Sequence, residues 1–323
     1  MRAAVCTRYG SPDVIAIQEL PDPVPRAGEV LIRVIATTVS SGDWRLRALA
    51  VPTGLRTMIR LAMGWNRLRQ PILGSDLCGE VIALGTGVSR FRLGERVVAF
   101  AGVRMGCHAE RRALPESAFI VPKPPSLSDH EAASLAFGGT TALHFLRDKG
   151  AIAAGQRVLV IGAAGCVGSA AVQLARHFGA EVTAVTSAAN HELARSLGAE
   201  RAIDYHTTDF AGEGRQYDLI LDAVNATTFA RARSALAPAG RLLMVAAEVP
   251  GMLRAATTIL GGQKACAGMA PERLEDVQFL AELAERGEYR PVVDSVYPLE
   301  EIVTAHRRAE SGRKRGSVVV EVG

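Results

Sequence analysis

Three glycines in the middle of the chain, Gly162, Gly165 and Gly168, stand at three-residue spacing where an apolar run gives way to a helical pattern. Val158, Leu159, Val160 and Ile161 precede them as the short run of a strand buried on both faces. Val167, Ala171, Leu174 and Phe178 follow at helical spacing and give the next segment one apolar face. In such a strand, turn and helix the first glycine permits the tight turn. The second lets backbone N–H groups approach a pyrophosphate, and the third lets helix and strand pack closely, with the helix N-terminus facing the phosphate charge. A second strand, Glu181 to Val185, follows about 20 residues on, the context that separates a dinucleotide site from a ligand-free glycine turn. Gly162, Ala164, Gly165, Cys166, Val167 and Gly168 are therefore candidate cofactor contacts.

The end of that second strand bears on which dinucleotide. An NAD site usually places Asp or Glu there for the ribose 2′-hydroxyl, but Thr186-Ser187-Ala188-Ala189-Asn190 holds no acid. A 2′-phosphate would meet no repulsion, so NADPH is expected over NADH. Strands are also expected at Asp218 to Ala223 and Arg241 to Ala246. Carboxyl ends of parallel strands face the ligand crevice, which brings the backbones of Ala223, Val224, Val245 and Ala246 toward the nicotinamide.

The positioning elements fall into three regions. From 1 to 123, short strands with Gly and Pro punctuation (Val30 to Thr37, Gly79 to Leu84, Arg96 to Phe100, Ala118 to Val121) predict a partly antiparallel β substrate domain. From 124 to 269, helices alternate with strands: a helix around Asp129 to Arg147, the glycine fingerprint, then helices His191 to Leu197 and Phe229 to Leu236. That alternation predicts a doubly wound parallel sheet, a Rossmann coenzyme domain. From 270 to 323, helices Leu274 to Glu285 and Leu299 to Ala309 and a strand Val318 to Val322 return to the first domain. The class is α/β.

Composition is that of a globular enzyme: 323 residues, 48% hydrophobic and 22% charged, with a net charge of +4. A charge this small suits an anionic cofactor without indicating nucleic acid. Met1 to Ile17 lacks a signal peptide's pattern, and no apolar stretch requires an integral membrane segment, so the cytoplasm is the expected compartment. The five cysteines are scattered, with no C-x-x-C pair, which argues against a disulfide framework or a structural zinc lobe. No tyrosine is followed four positions on by lysine, which excludes a short-chain dehydrogenase.

Gly74-Ser75-Asp76-Leu77-Cys78-Gly79-Glu80-Val81, then Gly85, Gly87-Val88 and Phe91-x-x-Gly94-Glu95-Arg96-Val97, resembles the N-terminal signature of medium-chain dehydrogenases/reductases. Gly198-Ala199, Ile203-Asp204-Tyr205 and Tyr297-Pro298-Leu299-Glu300-Glu301-Ile302…Ala305-His306 extend the likeness over essentially the whole chain. The resemblance implies a GroES-like substrate domain made from both chain ends, a Rossmann domain between them, an active site in the cleft and a homodimer. Zinc-dependent members carry Cys on the Val39 to Asp43 loop, a His-Glu pair at Ser75-Asp76 and another Cys near Phe137-Gly138-Gly139. Those positions hold no soft or imidazole ligand here. The likeness is thus to the zinc-independent, quinone-oxidoreductase-like branch, whose task is hydride delivery to a small quinone or α,β-unsaturated carbonyl. It further implies Thr141 near the cofactor and Ser187 and Tyr205 around the 2′-phosphate. The usual basic residue is replaced by Ala188-Ala189, with His191, Arg195 or Arg201 as substitutes. Ser187 also reads as a helix N-cap. Ser40, Asp43 and Trp44 are candidate substrate contacts, although Ser40-Ser41 replaces the Asn-Pro of relatives.

No proton donor is assigned: His108 reads as a packing residue rather than an acid, and Cys166 as a small residue of the turn. The segment Trp44 to Gln70 carries Arg45, Arg47, Arg56, Arg60, Arg67 and Arg69 among Leu55, Met58, Ile59, Leu61, Met63 and Trp65. A helix with a solvated arginine face is the favoured reading. A lid for a large apolar or anionic substrate, or a surface resting on a membrane, are the others. A second class of function stays open, an NADP(H)-binding redox sensor or interaction protein with little turnover. Single-stranded RNA binding is disfavoured, because no aromatics interleave with the arginines.

Overall fold

A computed structural model describes residues 1–51, 54, 56–247, 251, 255–258 and 262–323. It forms two compact units, Met1–Phe137 with Glu272–Gly323, and Gly138–Pro271.

The first unit opens with an antiparallel pair, β1 (Arg2–Cys6) and β2 (Ile15–Glu19). The long β3 (Glu29–Val39) then pairs antiparallel with β4 (Asp76–Leu84), and β4 with β5 (Arg96–Phe100). β6 (Arg111–Pro115) pairs with β3, and β7 (Phe119–Pro122) with β5. Between β3 and β4 lie helix α1 (Ser41–Arg47) and helix α2 (Arg56–Met63). Leu55 lies outside the described residues. α3 (Asp129–Ala133) belongs to this unit, where Asp129 pairs with Arg96 and Lys123 and Glu131 with Arg290. Those ties move the first boundary from the expected 123 to 137.

The single helix expected over Asp129 to Arg147 is three segments: α3, α4 (Ala136–Leu143) and a π-helical turn, His144–Lys149. Ser134 causes the first break, since its hydroxyl donates to the His130 carbonyl (2.9 Å) in place of a continuing helical ladder.

The second unit is a six-stranded parallel sheet: β8 (Arg157–Ile161), β9 (Glu181–Thr186), β10 (Arg201–Asp204), β11 (Tyr217–Asp222), β12 (Leu236–Met244) and β13 (Lys264–Ala267). Their spatial order is β10-β9-β8-β11-β12-β13, the doubly wound order that reverses between β8 and β11. α5 (Cys166–His177) and α6 (His191–Ser196) connect the first three strands. α7 is only Phe229–Ala232, because the chain turns to pair Leu236 with Tyr217 and Pro238 bars further helix. Val158, Leu159 and Val160 are fully buried, as their run predicts.

Glu272 returns the chain to the first unit with α8 (Leu274–Glu285), β14 (Val293–Pro298), α9 (Ile302–Glu310) and β15 (Ser317–Glu321). β15 lies antiparallel to β3, Val318 opposite Val39, and its other edge holds β14. The second helix of this stretch opens as a 3-10 turn, Leu299–Glu301. Ile32, Leu77, Leu114, Ile120, Val318 and Val320 form the centre of this core.

Candidate functional site

β8 ends at Ile161, and Gly162 takes φ +78°, the left-handed conformation a glycine adopts without strain. A Cβ at Gly162 would stand 2.7 Å from Val224 Cγ1, and one at Gly168 only 2.1 Å from the Gly162 carbonyl oxygen. These two glycines make the turn and the helix-to-strand contact. Gly165 differs: its φ is −77°, and a Cβ there would meet nothing nearer than the Gly162 oxygen at 3.5 Å. Backbone conformation therefore does not require glycine at 165. What remains is open space in front of the α5 N-terminus, where Gly165 is the N-cap and supplies no side-chain cap. The N–H groups of Val167 and Gly168 lie in the first turn, where helices leave donors for an anion. A cradle that any side chain at 165 would fill fits a pyrophosphate.

Sheet register aligns the remaining candidates along one edge. Ile161 pairs with Val185 and with Asp222, Asp222 with Met244, and Thr186 with Asp204. Ser187, Tyr205, Ala223, Val224, Val245 and Ala246 each follow within two residues of those strand ends, beside the turn of Gly162, Ala164 and Gly165. β11 and β12 stop at Asp222 and Met244, so Ala223, Val245 and Ala246 belong to the loops beyond them. Thr141 is half-buried in α4. Cys166 opens α5, and a Cβ at Gly138 would lie 2.5 Å from its Sγ, so those two small residues fit one another.

Ser187 occupies the N-cap position of a 3-10 turn but its side chain caps nothing. Its Oγ accepts from Asn190 Nδ2 at 3.0 Å, and the same amide donates to Thr186 Oγ1 at 3.3 Å. Asn190, which the sequence reading left unassigned, thus fixes the strand end, while its Oδ1 is buried without a partner. Tyr205 is exposed against the His206 ring. Of the basic substitutes, Arg201 is held by Glu213. Arg195 is exposed, and His191 Nε2 has no hydrogen-bond partner. Asp222 was also unread: it is buried, accepts from Val224 N–H (3.0 Å) and Thr227 N–H (2.8 Å), and so shapes the loop after β11.

In the first unit the structure gives Asp43 an architectural place. It is fully buried, its Oδ2 accepts from Ser40 N–H (2.7 Å) and Ser40 Oγ (2.6 Å), and its Oδ1 accepts from Gly74 N–H (2.8 Å). Both oxygens are thus engaged, in a capping box and in a loop tie. Trp44 is half-buried against the core, with the Arg45 guanidinium 5.5 Å from its ring. Asp76 accepts from Ser75 Oγ (2.9 Å), Thr38 Oγ1 (3.3 Å) and Phe137 N–H (3.0 Å). Burial outweighs those bonds, and with nearby Asp43 pushes its pKa up to about 7. His108 is buried with Nε2 3.0 Å from the Thr38 carbonyl, and its ring meets His306 edge-on. It packs, as the sequence suggests. His306 is fully buried with neither ring nitrogen hydrogen-bonded, and burial beside His108 and Arg47 holds its pKa well below the usual imidazole value. Among the described residues no three His, Cys, Asp or Glu side chains gather as a metal site.

A zinc-binding dehydrogenase family model matches residues 197–320, and an alcohol dehydrogenase GroES-like domain model matches 26–126. The chain is 29% identical over 315 residues to the chloroplast envelope quinone oxidoreductase homolog of Arabidopsis thaliana, covering 94% of this chain and 92% of that one. It is 30% identical over 362 residues to a mitochondrial NAD(P)H oxidoreductase of Drosophila melanogaster, covering 100% and 86%. Among solved structures, the quinone oxidoreductase of Coxiella burnetii superposes with a TM-score of 0.86 at 29% identity, over 100% of this chain and 99% of that one. An NAD-dependent alcohol dehydrogenase does so with 0.86 at 28%, over 100% of both, and a mycobacterial protein in complex with NADPH with 0.81 at 27%, also over 100% of both. Fold likeness alone does not separate an alcohol from a quinone, and the side chains at the site must. The GroES-like sheet, the doubly wound sheet with its glycine turn, and these relatives together establish that the chain belongs to the medium-chain dehydrogenase/reductase superfamily, among its quinone-oxidoreductase-like members.

Proposed function

We propose that the protein is an NADPH-dependent oxidoreductase that delivers hydride to a small-molecule quinone or to the β-carbon of an α,β-unsaturated carbonyl, without zinc. The observation that carries this reading is the donor set. Ser40 and Ser75 are spent on Asp43 and Asp76, and Gly138 is packed on Cys166, so none offers the thiolate or imidazole that zinc requires. An acceptor in this site must then be activated by its own structure, as a conjugated quinone or enone is and a saturated ketone is not. NADPH supplies the hydride when bound. The chain's part is to hold the pyrophosphate at Gly162 to Gly168 and to orient the nicotinamide with Thr141, Ala223, Val224, Val245 and Ala246. No side chain is assigned the proton that the resulting enolate or hydroquinone anion takes up, which a side chain or water could supply. A homodimer in the cytoplasm completes the proposal. Among the described residues no helix is long and apolar enough to cross a membrane.

The test is a panel of NADPH with a naphthoquinone, a conjugated enone, a saturated ketone and a primary alcohol, each with and without chelator. Turnover with the first two, unchanged by chelation, is the expected result. Turnover confined to alcohols or ketones, or abolished by chelator, would refute it, and silence throughout with intact NADPH binding would point to a sensor.

Cofactor choice rests on Thr186 and Ser187 in place of an acid. Ser187→Asp is expected to weaken NADPH binding about tenfold by like-charge repulsion of the 2′-phosphate, and to leave NADH almost unchanged. Titration of both coenzymes against both proteins checks this. Equal losses for the two would place the 2′-phosphate elsewhere.

A further inference from the structure

Helix α2 turns the wrong face to water. Its core-facing side is Ile59 and Met63, the latter packed on the main core of the first unit. Met58, Leu61 and Ala62, at helical spacing, face outward, and Trp65 continues their line past the helix end. Met58, Leu61 and Trp65 are 58%, 62% and 54% exposed. The solvated side of this segment thus carries an apolar stripe beside its exposed arginines.

The stripe stands on a built platform. Gly64 has φ +125°, and its carbonyl accepts from Tyr9 Oη at 2.7 Å. Arg69 donates to the Leu61 and Ala62 carbonyls, both at 3.1 Å, which closes the helix end. The Arg60 guanidinium lies 5.9 Å from the Tyr9 ring and 6.0 Å from that of Trp65.

Charge surrounds it. No Asp or Glu occurs between Asp43 and Asp76, while Arg56 and Arg67 are exposed. A cavity of about 460 Å³ opens beside the end of α2, with Met63, Gln70, Arg69, Arg104 and Arg112 on its walls against one carboxylate, Glu29. A second copy of the chain in two-fold contact would set arginine against arginine. An anionic bilayer satisfies both features, since its acyl boundary takes the apolar stripe and its phosphates take the guanidinium groups. We propose that the α2 and Trp65 face docks this protein peripherally on anionic membranes.

The test uses the full chain carrying Trp44→Phe, which leaves Trp65 as the sole tryptophan. Sedimentation with vesicles of phosphatidylcholine, with and without phosphatidylglycerol, is read together with Trp65 emission. Binding about tenfold or more tighter to the anionic vesicles, with a blue shift, and weakened by salt, is expected. The double variants Met58→Gln/Leu61→Gln and Arg56→Gln/Arg67→Gln should each lower binding about tenfold without changing the circular dichroism. No sedimentation with anionic vesicles, equal binding to both vesicle types, or binding indifferent to the variants would overturn the proposal. So would a vesicle-free dimer that Met58→Gln/Leu61→Gln dissociates, which would assign the face to a second copy.

Discussion

Gly165→Val is expected to fold and to lose NADPH by at least about 100-fold, whereas Gly168→Ala, one turn along the same helix, is expected to be strongly destabilised. The difference follows from what each Cβ would meet. At 165 it finds open space and a backbone at φ −77° and ψ 173°, which any residue adopts. The valine costs about 1 kcal/mol, the loss of a glycine N-cap, and its methyl groups fill the space the pyrophosphate needs. At 168 the Cβ would lie 2.1 Å from the Gly162 carbonyl oxygen and 2.7 Å from its carbon, both backbone atoms that cannot rotate away. Parting helix from turn would cost about 3 kcal/mol or more. Thermal unfolding with an NADPH titration separates the two. Normal affinity in folded Gly165→Val would mean that the phosphates bind elsewhere, and a Gly168→Ala protein as stable as the parent would contradict the packing.

The glycines were legible from their spacing between one strand and one helix, where backbone geometry local to the turn requires Gly162 and Gly168. The strands Arg96 to Phe100 and Val158 to Ile161 were legible too, as short apolar runs rich in valine and isoleucine or closed by an aromatic. β1, β6 and β14 were not legible. Arg2–Cys6 is short and alanine-rich, Arg111–Pro115 opens on two arginines, and Val293–Pro298 alternates weakly, so each is a strand only because a neighbour offers a ladder edge. Short helices were overextended for a related reason. Phe229 to Leu236 has the right periodicity, yet its last residue pairs with Tyr217 across the sheet, a contact visible only in three dimensions.

Site residues divide the same way. Positions at strand ends could be read because parallel strands share one carboxyl edge. Asp43 has a structural part that its reading as a candidate substrate contact did not include, because an acid in a loop has the same letter whether it faces solvent or caps a helix. The cue was Ser40 three residues earlier, half of a capping box that ties the loop to Gly74. Asn190 and Asp222 carried a weaker cue, a polar side chain shortly after or at the end of a buried strand, where it can bond the loop's own hydroxyls, as Asn190 does, or its N–H groups, as Asp222 does.

Asp76 makes the second large prediction. Its carboxyl is buried, and its pKa in the folded chain is about 7, against about 3.9 when unfolded. Between those values the folded protein holds a proton that the unfolded chain has released. Stability from this group is therefore fully present below about pH 4, falls by about 1.4 kcal/mol per pH unit above it, and is gone once the pH passes about 7. The total at stake is on the order of 4 kcal/mol. Asp76→Asn keeps an acceptor for Phe137 N–H, and its amide can donate to the Ser75 and Thr38 hydroxyls in place of the bonds they now make. It should remove this slope and be more stable than the parent at pH 8, with the advantage shrinking toward pH 5. His306, whose depressed pKa acts in the opposite direction, is common to both proteins and cancels in the difference. Denaturant unfolding of the pair at several pH values between 5 and 8 measures it. Parallel stability curves would show that Asp76 folds as a carboxylate, with its three donors outweighing burial and the repulsion of Asp43.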